Sequence, residues 1–148
     1  MQTFLPLKTY AQTAQVLDYR RLGKQRVEAW QILQAIEKRK QGITTGAWIN
    51  HPCVLMWQNA EIQLITYAIA ICKEWIDRGY QDTMLSRFEE KLAFYQTLDF
   101  TDALPIFLGN EDFHQSHRSN LLKKDFDYYS QFFNDPTDLP YLWLIEQK

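Results

Sequence analysis

The sequence predicts an all-α fold, a single compact helical domain with short extended N- and C-terminal segments. Apolar residues recur at helical spacing through much of the chain, Gly and Pro number only 5 each in 148 residues, and strand-like alternation is nearly absent. With 46% hydrophobic and 15% aromatic residues, the chain can fill one core and is short for two, so residues 1–148 read as one domain. No low-complexity linker or internal repeat divides it.

The first long helix is predicted from Asp18, which can cap it, to about Lys40, where Gln41-Gly42 ends it. Leu22, Ala29, Leu33 and Ile36 form its apolar stripe. At about 100° per residue, Arg20, Arg21, Lys24 and Glu28 project roughly opposite that stripe. Arg26 lies only about 40° from its centre, so it either snorkels from the core edge or lines a concavity that holds an anion. His51-Pro52 begins a second helical stretch, and Asn59 is expected to cap its continuation to Arg78-Gly79. Ile62, Ile65, Ile69, Cys72 and Ile76 form the expected stripe of that helix. Asp82 caps a third helix to about Gln96, and Asn110 caps a fourth over Glu111–Lys124, with a loop around Asp102–Gly109 between them. A short helical turn is expected around Asp127–Phe133, and the tail from Asp135 is expected to be extended, packing its aromatics on the bundle.

Charge is unevenly distributed. Residues 1–50 hold eight Lys/Arg against three Asp/Glu, whereas residues 51–148 hold eight against fifteen. Four cations, Arg20, Arg21, Lys24 and Arg26, fall within seven residues of the first helix, so a polyanion would meet this face. An overall charge of −2 does not oppose that, because binding depends on local potential and released counterions. The same cations also fit a solvated helix face. The stretch Leu64–Cys72 is about half the roughly 20 residues needed to span a bilayer, and the N-terminus lacks signal-peptide character. Cys53 and Cys72 belong to no C-x-x-C pair and suit reduced, packed thiols, so the expected compartment is the cytoplasm, with no membrane partner.

No phosphate-binding glycine loop, H-E-x-x-H, paired C-x-x-C or G-x-S-x-G occurs, which removes support for nucleotide hydrolases, zinc enzymes and serine hydrolases. His114 and His117, three apart and followed by Arg118, Ser119 and Asn120, could ligate a metal, but no third ligand has matching local spacing. They better suit contacts, with Arg118, to a phosphate or base, or a helix end bonded to neighbouring loops. Trp48, Trp57, Tyr128, Tyr129, Tyr141 and Trp143 lie near predicted loops and helix ends, where rings could stack on bases or simply pack. Glu28 can pair with Lys24 four residues earlier; an acid inside a basic groove also hints at catalysis.

Tyr19-Arg20-x-Leu22-x-x-x-Arg26-Val27, then Pro52-x-x-Leu55-x-Trp57 and Cys72-Lys-Glu-Trp-Ile-Asp-Arg-Gly-Tyr80, resemble the pyrimidine-dimer DNA glycosylases of the phage endonuclease type. The strings Leu22-Gly-Lys-Gln-Arg-Val-Glu-Ala29, Asn50-His-Pro52 and Ser116-His-Arg-Ser-Asn-Leu-Leu122 resemble a bacterial branch of that family. The resemblance extends to the aromatic tail. It implies a helical domain that kinks damaged duplex DNA, extrudes a nucleotide, and attacks the sugar C1′ with the N-terminal amine, giving an imine that permits β-elimination of the 3′ phosphate. α-Amino groups ordinarily titrate near pH 8, so a useful fraction is nucleophilic at neutrality.

The family motif carries an essential Glu after the Tyr-Arg pair, where this chain has Arg21. Glu28 is expected as a substitute acid on position alone, two turns or about 10 Å further along the helix. The family's mature N-terminus is a Thr exposed by loss of Met; here Gln2 follows Met1, so the expected amine is that of Met1. Arg20 and Arg26 match the motif's arginines. The expected site therefore has Met1 and Glu28 as catalytic groups, Arg20, Arg21, Lys24, Arg26, His117 and Arg118 on DNA, and His51, His114 and Asn120 as pocket residues. No cofactor, metal or obligate protein partner is expected. Two alternatives remain on the sequence: a non-catalytic DNA-binding or lesion-recognition module, and an enzyme for another modified base or nucleotide using His51, His117, Arg118 and Asn120.

Overall fold

A computed structural model describes residues 1–98, 100 and 102–146. Among these residues the chain forms seven helices and no strands: α1 (Tyr10–Val16), α2 (Tyr19–Lys40), α3 (Pro52–Trp57), α4 (Glu61–Asp77), α5 (Leu85–Gln96), α6 (Glu111–Lys124) and α7 (Phe126–Tyr129). The all-α class is therefore as predicted. No helix among the described residues is long and apolar enough to cross a membrane.

Helix α4 is central, packing against α1, α2 and α5, while α2 also packs on α3, and α6 on α7. Its face is wider than the predicted stripe. Leu64, Tyr67, Ala68 and Ile71 are buried along with Ile62, Ile65 and Cys72, whereas Ile76 is exposed, because neighbours press on α4 from several sides. Helix α2 matches its prediction: Asp18 caps it through the Arg21 N–H, and Leu22, Ala29, Leu33 and Ile36 are buried. Its inner face also carries Gln25, a buried polar residue on which the site depends.

The structure corrects several local expectations. Asn59 does not cap α4; it adopts a left-handed φ of 72° in the turn after α3, and Ala60 stands at the cap without a side-chain bond. Asn tolerates that conformation better than most residues. Asp82 caps α5 from further upstream, its Oδ2 accepting the N–H groups of Met84 and Leu85. Helix α1, capped by Thr9, was not expected, because seven residues are too short for a recognisable stripe. The helical turn near the C-terminus is α7, one residue earlier and shorter than predicted. The tail beyond it has no regular structure and lays Tyr141, Leu142, Trp143, Leu144 and Ile145 against the core.

Gly23 sets one contact beside the site. Trp75 packs so closely on α2 that a Cβ at position 23 would lie 2.9 Å from two of its ring carbons. The same ring stacks on Tyr80 at 4.2 Å, which in turn faces Tyr19 at 6.4 Å. Gly23→Ala gains about 1 kcal/mol of helix propensity but costs about 1–3 kcal/mol in overpacking. A net loss of stability in urea denaturation is expected; a net gain would show that Trp75 can step aside freely.

Candidate nucleic-acid interface and amine site

Residues 2–5 cross the interior as an extended segment without a partner strand, so their N–H groups must be met by side chains. Gln2 donates its N–H to Glu28 Oε2 at 3.0 Å, and Phe4 donates to Gln25 Oε1 at 3.0 Å. Gln25 Nε2 donates back to the Gln2 carbonyl at 2.8 Å, and its Oε1 also accepts the Tyr67 hydroxyl at 2.7 Å. The segment therefore runs antiparallel to α2, bringing Met1 toward the Glu28 end of these contacts.

The two α6 histidines clamp Leu5. His117 Nδ1 accepts its N–H at 2.9 Å, while His114 Nδ1 meets its carbonyl at 2.7 Å. His114 Nε2 accepts the Gly109 N–H, which leaves the proton on Nδ1 to donate to Leu5. Their spacing of three thus grips both backbone groups of one residue, not a metal. Among the described residues no group of three or more His, Cys, Asp or Glu gathers as metal ligands.

This arrangement revises part of the expected site. His117 has 0% exposure and cannot contact DNA in this conformation; burial, with His114 nearby, pushes it down to about 3. His114 is also lowered, burial outweighing the Leu5 carbonyl that favours its charged form. Arg118 is engaged by the Pro6 carbonyl, Asp135 and Glu111, and Asn120 donates to the carbonyls of Ser116 and Leu139. Arg26 pairs with the buried Asp82 and lies 4.5 Å over the Trp75 ring, so it snorkels from the core edge. In the His51, His117, Arg118 and Asn120 set of the other-substrate alternative, His117 is buried and Arg118 and Asn120 are bonded within the protein.

A cleft of about 930 Å³ opens beside the N-terminal half of α2. Met1, Gln2, Asp18, Arg20, Arg21, Lys24 and Glu28 line it, with Arg78 and Tyr80 following α4 and Lys124, Tyr128 and Tyr141 arriving from the C-terminal part. A smaller hollow of about 470 Å³ on the other flank of α2 shares Tyr19, Arg20, Lys24 and Glu28 and includes Trp75.

The cations around the cleft differ in availability. Arg21 pairs with Asp18 at 3.1 Å, and Arg78 is engaged by Glu74 and the carbonyls of Ala14 and Gln15. Arg20, Lys24 and Lys124 make no ion pair with described residues, which leaves their charge for an outside anion. The expected Lys24–Glu28 pair is absent, Glu28 being turned to the Gln2 N–H. Burial raises Asp18, but hydrogen bonds from Tyr129 and Arg21 and the Arg21 charge outweigh it and hold the carboxyl low.

His51 caps α3 through Nδ1, which accepts the Cys53 N–H at 3.0 Å. Burial lowers its pKa, the terminal ammonium adds to that effect, and Glu28 opposes it. His51 thus shares the electrostatic surroundings of the amine. Trp57 and Tyr129 are fully buried and cannot stack on a base, whereas Tyr128 and Tyr141 line the cleft. Gln2, Gln25 and Lys124 escaped the sequence reading; Gln25 carried a signal, a polar residue on the inner face of an otherwise apolar stripe.

A buried terminal segment, a carboxylate beside it and unpaired cations at the mouth make a helical protein with a cleft suited to a polyanion. The profile of the pyrimidine dimer DNA glycosylase family matches residues 1–87 of the 148-residue chain, and the chain belongs to that family. No curated protein and no solved structure matches the chain.

Because folded His117 stays neutral down to about 3 while an unfolded histidine protonates near 6.5, the unfolded chain takes up the proton first. Stability therefore falls as pH drops from about 6.5 toward 3, by up to about 1.4 kcal/mol per unit for this group. Thermal melts at pH 7.5 and 5 should show the drop, with a shallower one for His117→Gln; equal drops would remove His117 as its source.

Proposed function

We propose that the chain is a DNA glycosylase with AP-lyase activity, acting on damaged or modified pyrimidines in duplex DNA through an imine on the Met1 amine. The observation that carries this reading is the Glu28 carboxylate accepting the Gln2 N–H at 3.0 Å, one residue from the amine and on the wall of a cation-bearing cleft.

The chemistry assigns each group a task. The amine lone pair bonds to C1′ while the C1′–N1 bond breaks and its electrons leave with the base. Glu28 stabilises the developing positive charge at the sugar and moves the proton shed by the amine. Opening of the sugar gives an imine whose charge acidifies the C2′ hydrogens, and loss of one expels the 3′ phosphate. Arg20, Lys24 and Lys124 hold phosphates, and Arg21 contributes through the Asp18 pair. Tyr19, Tyr128 and Tyr141 offer ring surface to unstacked bases. We assign this function to residues 1–148 as one domain, since Lys124, Tyr128 and Tyr141 lie beyond the family match yet line the cleft. The same reading assigns the chain to the cytoplasm, where its DNA substrate lies in a bacterium.

Borohydride should trap a covalent adduct with a duplex containing one abasic site, and blocking the N-terminal amine should abolish it. Glu28→Gln is expected to slow trapping roughly 10²- to 10⁴-fold. No wild-type adduct would reject the lyase, leaving salt-sensitive DNA binding as the non-catalytic alternative. Lys24→Ala and Lys124→Ala should each reduce the slope of log affinity against log salt by about one. Unchanged slopes would remove those lysines from the phosphate path.

A further inference from the structure

Four buried side-chain polar atoms lack a hydrogen-bond partner among the described residues: Gln2 Nε2, Arg26 Nε, Glu61 Oε1 and His117 Nε2. Three have other compensation. The Arg26 guanidinium is ion-paired and stacked on Trp75, Lys40 engages the second Glu61 oxygen, and the His117 ring lies among Phe4, Phe113 and Tyr141. Gln2 is the neutral donor of the four whose residue lines the large cleft, although it is only 6% exposed.

Its orientation is fixed. Gln2 Oε1 accepts the Thr3 N–H at 2.9 Å and the Cys53 thiol at 3.8 Å. A backbone N–H needs an oxygen, so the amide cannot be turned to exchange its ends. The main chain of Gln2 is held as well, its N–H by Glu28 and its carbonyl by Gln25. A buried amide nitrogen held so firmly without an acceptor is costly in a resting protein, and a ligand acceptor would relieve that cost.

We propose that Gln2 Nε2 donates to the O2 carbonyl of the pyrimidine being excised, making Gln2 the contact to the leaving base. This rests on the amine mechanism proposed above. Gln2 is the next residue to Met1, and O2 is the acceptor adjoining the glycosidic bond that Met1 attacks. As the amine nitrogen bonds to C1′ and the C1′–N1 bond breaks, the electron pair spreads over N1 and O2. The proton lost by the amine passes through Glu28 to the base, which leaves neutral. A donor on O2 therefore strengthens its bond as the reaction proceeds. Neutrality also fits the position, since a cation there would oppose the positive charge of the forming imine. Phosphates are served by Arg20, Lys24 and Lys124.

The test compares two probes, a duplex with a thymine cyclobutane dimer and a duplex with one abasic site, which carries no base. Gln2→Glu keeps the oxygen for Thr3 and removes the donor; Gln2→Met removes both, and intact mass verifies that Met1 is retained. The ratio of single-turnover glycosidic cleavage on the dimer to borohydride trapping on the abasic site should fall roughly tenfold or more in both variants. An unchanged ratio overturns the proposal. In ¹⁵N spectra of the wild type, the Gln2 amide signals, identified by their loss in Gln2→Glu, should move with the dimer duplex and not with the abasic one. No movement with the dimer also overturns it. Absence of wild-type trapping on the abasic duplex would instead reject the amine mechanism, and the amide signals would still decide whether Gln2 meets the base.

Discussion

The N–H groups of Gln2, Thr3, Phe4 and Leu5 are met by Glu28, Gln2, Gln25 and His117 side chains, and no strand or helix ladder supplies an alternative. Leaving one such buried donor unmet costs about 1–3 kcal/mol. Four of them approach the whole stability of an ordinary domain, roughly 5–15 kcal/mol. The helices must therefore close around this segment in one register. Helix α2 supplies two of the acceptors, α6 supplies another, and the Leu5 carbonyl is taken by His114 from α6 as well. A one-residue slip would strand several of these groups together.

That constraint governs the electrostatics of the site. Neutral His117 carries its proton on Nε2 among the rings, and protonation would place a second N–H on Nδ1 against the Leu5 N–H it now accepts, so the fold holds it neutral. Around the cleft, Arg21 and Arg78 are occupied by carboxylates within the protein, while Arg20, Lys24 and Lys124 are not; Arg26 and Arg118, away from it, are paired as well. The sequence's positive N-terminal third thus contains both structural and available cations. Binding strength toward a polyanion follows the second group, because a paired arginine must first give up its partner.

Helix α2 and its cap were legible because Asp18, the stripe and Gln41-Gly42 are local signals, and Glu28 could be singled out because it shares a helix face with the cations. The α6 cap at Asn110 was legible for the same reason. What escaped were pairings across sequence separations of 21 to 112 residues, from Phe4–Gln25 to Leu5–His117. Periodicity says that His117 and Gln25 face inward; it does not say which backbone group waits there. The same gap explains Arg118 and Asn120, whose polar chemistry suited DNA but whose acceptors are the protein's own carbonyls and, for Arg118, the carboxylates of Asp135 and Glu111. Arg26 was legible as a core-edge residue, and only Asp82, 56 residues away, decided between the two readings.

Arg21 and Glu28 are best understood together. A carboxylate at position 21 would sit in the first turn of α2, where Asp18 already serves the cap and binds the Tyr129 hydroxyl. With Arg21 there, the cap gains an ion pair and the first turn becomes a cationic lip. On the proposed mechanism the acid stands elsewhere, and the terminal segment indicates Glu28. Traced from Leu5 back toward Met1, it advances along α2 from Gln25 toward Glu28. A carboxylate about 10 Å beyond position 21 thus meets the chain near its amine rather than at the cap. The acid's position is coupled to the direction of the buried segment, so moving the carboxylate back to residue 21 in this chain would also separate it from the Gln2 N–H that now orients it.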